Sequence, residues 1–145
     1  MKFNSQICTT VEQSKRLLEL GMKFETADMC HHLSNPQDKK NPYTKLALDD
    51  YIYIHLGEEG WEDTIPAWSL HRLIELCPET IYFEEPYYDN EVYCSLHIED
   101  KDRIVYHDYG SNFYNFDKHR NIYNNIIDCI DWLIKEGKFN TEYLK

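Results

Sequence analysis

Several features that mark common enzyme and membrane classes are missing from this sequence. Its five glycines are isolated, so it contains no glycine-rich phosphate loop and no dinucleotide-binding fingerprint. No apolar run approaches the ~20 residues that a membrane-spanning helix needs. The five cysteines form no Cys-x-x-Cys pair, and the first residues lack the apolar core of a secretion signal. We therefore expect a cytoplasmic protein with reduced thiols, no cofactor and no membrane partner.

Basic residues are scarce in the middle of the chain. The formal net charge is −11, and residues 49–109 hold sixteen acidic residues against three basic ones. Such a stretch repels phosphate backbones, which argues against direct nucleic-acid binding. An acidic face of this kind is typical of a solubilising surface, and it also suits docking to a basic protein.

Hydrophobic and aromatic residues are plentiful, at 42% and 14% of the 145 residues. This composition and length predict one globular domain that spans residues 1–145. Residues 33–45 contain two prolines and show no hydrophobic periodicity. We expect them to form an exposed loop within that domain.

Hydrophobic periodicity predicts three helices. The first runs from about Val11 to Leu20. The second starts at Pro66, or one turn later with Ser69 as its cap, and ends at Pro78. The third runs from about 118 to 136 and directs a set of polar side chains to water, namely Asn124, Asn125, Asp128, Asp131 and Lys135.

Alternating patterns predict strands at residues 51–56 and 80–83, followed by an antiparallel hairpin of residues 91–98 and 103–109. In the hairpin, Tyr93, Ser95 and His97 alternate with aliphatic residues, so their face of the sheet should be partly wet. These elements together predict an α+β fold, with an antiparallel sheet of about three to four strands packed against about three helices.

The second helix carries a family resemblance. Ile65-Pro66-Ala67-Trp68-Ser69-Leu70, followed by Leu-x-Glu-Leu-x-Pro through Pro78, resembles a family of small bacterial proteins found in phages and mobile elements. Residues 13–21 and 26–29 fit the same family. No activity is known for this family, so the resemblance implies a fold and, by association, a modulator of host or element proteins.

Three kinds of residue cluster have the chemistry of a binding site. Cys30-His31-His32 offers thiolate and imidazole ligands, but no second ligand pair lies at zinc-finger spacing, so we assign no metal. On the hairpin, Tyr93, His97, His107 and Tyr109 would form a polar, aromatic ligand site if the strand register brings them together. Acidic loops with aromatic residues are typical interaction anchors, and the candidates are Glu58, Glu59, Trp61, Glu62, Glu84, Glu85, Tyr87 and Tyr88.

These patterns favour a non-catalytic, cytoplasmic protein-interaction module with an acidic central surface. Its partner would be another protein, and a basic host protein is the concrete version of that hypothesis. A ligand-binding domain or enzyme that uses the histidine and tyrosine side chains of the sheet is the first alternative. A metal-binding protein that uses Cys30, His31 and His32 is the second.

Overall fold

The computed structural model describes residues 5–32, 43–45, 64–84, 91–110 and 113–145. Within these ranges the chain forms three α-helices and two antiparallel sheets, which confirms the predicted α+β class. The chain divides into two compact units, residues 1–74 with 141–145 and residues 75–140. The strand predicted at residues 51–56 lies outside the described ranges, and the assignment of residues 1–145 to one domain stays a prediction.

The elements follow one another in a simple order. The helices are α1 (Val11–Glu19), α2 (Leu70–Leu76) and α3 (Ile122–Lys135), with 3₁₀ turns at Phe24–Thr26 and Thr141–Tyr143. The strands are β1 (Met29–His32), β2 (Tyr43–Lys45), β3 (Thr64–Ala67), β4 (Thr80–Glu84), β5 (Glu91–Glu99), β6 (Arg103–His107) and β7 (Phe113–Phe116).

The first unit contains a three-stranded sheet in the order β2-β1-β3. Two predictions from the sequence are wrong here. Residues 43–45 form β2 and pair with β1, although we expected them to end an exposed loop. Pro66 lies in β3 opposite Cys30, and α2 begins only at Leu70. A proline nitrogen cannot donate to a ladder, but β3 is the terminal strand in the order of this sheet, where that loss is tolerated.

Side-chain caps define where the first two helices begin. Thr10 caps α1, and the capping box with Gln13 is complete in both directions. Ser69 Oγ accepts a hydrogen bond from the Arg72 N–H at 3.2 Å, which caps α2. Asp28 supports this cap by accepting the Ser69 N–H and hydroxyl at 2.8 and 2.5 Å. The alternative start of α2, one turn after Pro66, is therefore the observed one.

Thr9 and Trp68 tie the start of the chain to β3, and both are fully buried. The Thr9 N–H donates to the Trp68 carbonyl at 2.9 Å, and the Trp68 N–H donates to Thr9 Oγ1 at 3.0 Å. Thr9 Oγ1 also shares a hydrogen bond of 2.7 Å with Ser14 Oγ. The Trp68 indole N–H donates to Thr26 Oγ1 at 3.0 Å, so the polar atom of the largest buried side chain has a partner.

The second unit is a four-stranded sheet in the order β4-β5-β6-β7, covered on one face by α3. Asn121 caps α3 by accepting the N–H groups of Tyr123 and Asn124. The Trp132 ring lies 4.8–6.3 Å from the rings of four sheet residues, Phe83, Tyr106, Tyr114 and Phe116. The aliphatic stripe of α3 is fully buried at Ile126, Ile127, Ile130 and Leu133.

Asn125 was expected to face water, and that prediction is wrong. Its side chain is fully buried and makes three hydrogen bonds. Nδ2 donates to the carbonyls of Asp102 and His119 at 2.6 and 2.8 Å, and Oδ1 accepts the His119 N–H at 3.0 Å. Asn125 therefore holds the turn after β5 and the segment before α3 against the helix. No helix in the described part of the chain has the length and hydropathy needed to cross a bilayer.

Replacing Asn125 with Ala should lower the free energy of unfolding by about 2–4 kcal/mol, because three polar groups would lose their partners. Chemical denaturation of the wild type and of Asn125→Ala measures this difference. Asn115→Ala is the matched control, since Asn115 is exposed on β7 and its change should stay within about 0.5 kcal/mol. Equal losses in the two variants would contradict the role of Asn125.

The nearly isosteric change Thr9→Val should destabilise the chain by about 1–3 kcal/mol, because Trp68 N–H and Ser14 Oγ lose a buried partner. The exposed Thr80→Val provides the matched control on a strand. A thermal melt that shows no loss for Thr9→Val relative to Thr80→Val would refute the importance of the Thr9 hydroxyl.

Candidate functional site

The pairing of β5 with β6 decides which side chains share a face of the four-stranded sheet. Ser95 lies opposite His107, and His97 lies opposite Val105. Because side chains alternate along a strand, His97 and His107 project from the same face as diagonal neighbours. This is the face opposite Tyr106, whose ring packs near Trp132 on the helix side.

The histidine cluster, which we define as His97, His107 and Tyr109, forms on this face. The two imidazole rings are stacked, with centroids 4.2 Å apart and planes inclined by 25°. Tyr109 meets His97 and His107 edge-on, at centroid distances of 5.5 and 4.5 Å. Three of the four residues that the sequence suggested as a ligand site, His97, His107 and Tyr109, are therefore in direct contact, whereas the Tyr93 ring lies against Tyr82.

Two hydrogen bonds fix Tyr109 to the two histidines. Its backbone N–H donates to His107 Nδ1 at 3.2 Å, and its hydroxyl lies 3.3 Å from His97 Nε2. A ring nitrogen that accepts a hydrogen bond carries no proton, so the proton of the neutral His107 ring is on Nε2. The observed contact thus belongs to neutral His107.

Tyr109 has a backbone conformation that is rare for a bulky residue. Its φ is 62°, in the left-handed region, which costs roughly 1–2 kcal/mol for a residue with a Cβ. The neighbouring Asp108 Oδ1 accepts the Gly110 N–H at 2.8 Å and closes a turn around Tyr109. The side chain nevertheless remains 80% exposed. Strain at an exposed aromatic residue is more typical of a functional position than of a packing one.

Charged groups border the cluster on one side. Glu99 accepts a hydrogen bond from Arg103 Nη2 at 2.5 Å, and Asp100 lies 3.4 Å from the same nitrogen. The other oxygen of Glu99, Oε1, lies 3.9 Å from His107 Nε2. This distance is too long for a hydrogen bond.

Exposed aromatic side chains extend the cluster across one end of the sheet. Tyr82 and Tyr93 lie directly opposite each other, with ring centroids 6.4 Å apart, and are 52% and 56% exposed. Phe113 lies opposite His107 and is 52% exposed. We call Tyr82, Tyr93, Tyr109 and Phe113 the aromatic face. They account for four of the six exposed large hydrophobic side chains in the described ranges.

Four residues at this surface were not among the candidates that the sequence suggested, namely Tyr82, Glu99, Arg103 and Phe113. Tyr82 was within a predicted strand, but its partner Tyr93 follows only from the register. Phe113 belongs to β7, which was not predicted. The alternation in Phe113-Tyr114-Asn115-Phe116 directly after the turn signals at 110–112 was the available signal.

The structure describes one of the acidic interaction candidates, Glu84. It lies exposed at the end of β4, two residues after Tyr82. The remaining candidates, Glu58, Glu59, Trp61, Glu62, Glu85, Tyr87 and Tyr88, lie outside the described residues. Their role as an interaction surface stays a prediction.

The candidate metal ligands Cys30, His31 and His32 lie in β1. Cys30 is 2% exposed, and His31 is 4% exposed with its Nε2 2.6 Å from the Thr9 carbonyl oxygen. His31 therefore acts as a buried structural contact. Across the described residues, no group of three or more histidine, cysteine, aspartate or glutamate side chains is placed to hold a metal ion.

All five cysteines are buried free thiols. Burial raises the pKa of Cys8, with smaller contributions from Asp28 and Cys30, and burial with Asp108 raises that of Cys94. Burial also raises the pKa of Cys129, which is further raised by a hydrogen bond with Cys77 and by the charge of Asp128. These shifts suppress the thiolate, which is the reactive form of cysteine.

Native protein should therefore react with iodoacetamide at pH 8 far more slowly at Cys8, Cys94 and Cys129 than the denatured chain does. The raised pKa values also affect the free energy of unfolding. The contribution of these thiols to stability is fully present below the pKa of an unfolded thiol, about 8.5, and is lost as the pH rises beyond it. Mass spectrometry of labelled peptides, with and without denaturant, measures the rates. Equal labelling in both conditions would contradict this expectation.

Comparison with known proteins identified no relative of this chain. No protein-family model, curated protein or solved structure matches the chain.

Proposed function

We propose that this chain is a non-catalytic protein-interaction module that binds a basic partner through the aromatic face. The observation that carries the proposal is the clustering of four exposed aromatic side chains at one end of one sheet face. Tyrosine side chains are enriched at protein interfaces because they bury a large area at low entropic cost and keep a polar group. Such anchors supply most of the binding energy in a typical interface.

The charge of the chain supports a basic partner. The net charge is −11. Glu84 lies two residues after Tyr82, and Asp108 directly precedes Tyr109. The faces of tyrosine rings attract cations as well. The chain itself uses this contact, since Lys138 Nζ lies 4.7 Å from the centroid of the Tyr82 ring. A lysine or arginine side chain of a partner would use the same chemistry.

The acidic sequence segments that contain Trp61 and Tyr87 belong to the same proposal as further candidates for partner contact. The resemblance to phage and mobile-element proteins makes a host protein a suitable partner class, and a DNA-binding protein is a concrete basic example. The buried thiols of Cys8, Cys94 and Cys129 support a non-catalytic role, because their raised pKa values disfavour a thiolate nucleophile.

The histidine cluster favours one other candidate function, a small-ligand site on the same face. Stacked imidazoles and a tyrosine hydroxyl offer hydrogen bonds and a planar surface in one place. A fragment screen by NMR distinguishes the two candidates. A small molecule that causes saturable chemical-shift changes at His97 and His107 would favour the ligand site. If the same chain also bound no basic protein, the interaction proposal would be refuted.

The double change Tyr93→Ala and Tyr109→Ala should weaken binding to basic proteins by about tenfold or more, because it removes two interface anchors. For the measurement, the basic proteins of a host lysate are collected by cation exchange and passed over the immobilised chain at low and at high salt. The amount of protein that the chain retains is then compared between the variants. Binding by the wild type should fall as salt rises.

Ile7→Ala is the control for this double variant, since Ile7 is 57% exposed and lies in the first unit. It should bind as the wild type does. A wild-type chain that retains no basic protein, or a double variant that binds as well as Ile7→Ala, would refute the proposed role of the aromatic face.

A further inference from the structure

We infer that His107 is a pH-sensitive latch that holds Tyr109 in place on the aromatic face while the imidazole is neutral and releases it on protonation. The inference concerns regulation of the surface described above, and its consequence for partner binding rests on the proposed function. The movement of Tyr109 itself does not, because it is a property of the free chain.

The two histidines differ in how they hold Tyr109. The hydroxyl of tyrosine both donates and accepts, so its contact with His97 Nε2 survives protonation of His97 by an exchange of roles. The backbone N–H of Tyr109 only donates. When His107 gains a proton on Nδ1, two donors face each other and the 3.2 Å hydrogen bond is lost. His107 is therefore the sensor of the pair.

The charged groups around His107 act on its ring once it is protonated. Glu99 on β5, with its Oε1 3.9 Å away, attracts an imidazolium, although it also pairs with Arg103 on β6. The stacked His97 ring repels a second positive charge whenever both rings are protonated. Asp108, the next residue after His107, accepts the Gly110 N–H and keeps its negative charge, whereas Phe113 on β7 brings no charge. A protonated His107 is thus attracted by the carboxylates of Glu99 and Asp108 and repelled by His97 when that ring is protonated as well.

Backbone strain favours a change in the conformation of Tyr109 once its N–H loses this acceptor. Its left-handed backbone, with φ of 62°, is strained in the held state and relaxes on release. Histidine is the side chain that ordinarily changes charge between pH 5 and 8, and this is the range over which the latch is tested. Release removes an exposed aromatic anchor and adds a positive charge to the face, and both effects weaken binding to a basic partner.

NMR on the free chain tests the latch without any partner. We expect the Tyr109 amide resonance to shift between pH 8 and 5 in step with the His107 ring. Its protection from hydrogen exchange, after correction for intrinsic rates, should fall about fivefold, the equivalent of one ordinary hydrogen bond. His97→Gln should keep this response. A Tyr109 amide that does not respond to pH, or that follows His97 instead, would overturn the inference.

Two substitutions at His107 separate the latch from general effects of pH. In His107→Asn the side-chain oxygen supplies an acceptor near the position of Nδ1 that does not titrate, so Tyr109 should stay protected at both pH values. In His107→Phe the acceptor is absent, so protection should be low at both. His119→Gln is the control, because His119 pairs with Asp128 on α3 and its loss should leave the Tyr109 response unchanged. A full wild-type pH response in His107→Asn would also overturn the inference.

The binding step uses the same cation-exchange fraction of host lysate at pH 7.5 and 5.5. The wild type should bind about fivefold more weakly at pH 5.5, whereas His107→Asn should lose less. A chain that shows the NMR response but retains no basic protein at either pH would refute the proposed function and leave the latch standing. An equal loss of binding in the wild type and in His107→Asn would refute the control of binding by the latch.

Discussion

The antiparallel pairing of β5 with β6 is the constraint on which the second unit depends. With Leu96 opposite Tyr106 and Ser95 opposite His107, alternate residues of both strands turn to opposite faces. A shift of one residue would expose the apolar set and bury the polar one. The burial of Cys94, Ile104 and Tyr106 on the helix side therefore obliges His97 and His107 to meet on the other side.

The chemistry of the aromatic face follows from the same register. Tyr82 reaches Tyr93 and Phe113 reaches His107 because each pair lies directly across a ladder. Tyr109 joins them only because the chain turns sharply after β6, through a left-handed residue that Asp108 and Gly110 close. The surface thus combines exposed rings, two stacked imidazoles and one strained backbone position, and the proposed interaction and the proposed latch both rest on these features.

The elements with strong local signals were predictable from the sequence. The helical periodicity of α3 and the β5–β6 hairpin were expected, because each is encoded by neighbours within a few residues. The short strands β1 and β3 were not expected. The four residues of β3, which include Pro66, show no hydrophobic period. Strands β1 and β3 form because they pair with each other across a long stretch of the chain.

The candidate site was only partly predictable for the same reason. The sequence alone determined the residue types, the alternation that puts Tyr93 and His97 on one face, and the acidity of the chain. The burial of Asn125 with its hydrogen bonds, and the edge-on contact of Tyr109 with two stacked histidines, follow from the tertiary structure alone. Periodicity reports which face of an element a residue occupies. Register, turn conformation and the partners of a buried polar group depend on residues distant in the chain, and no local pattern carries that information.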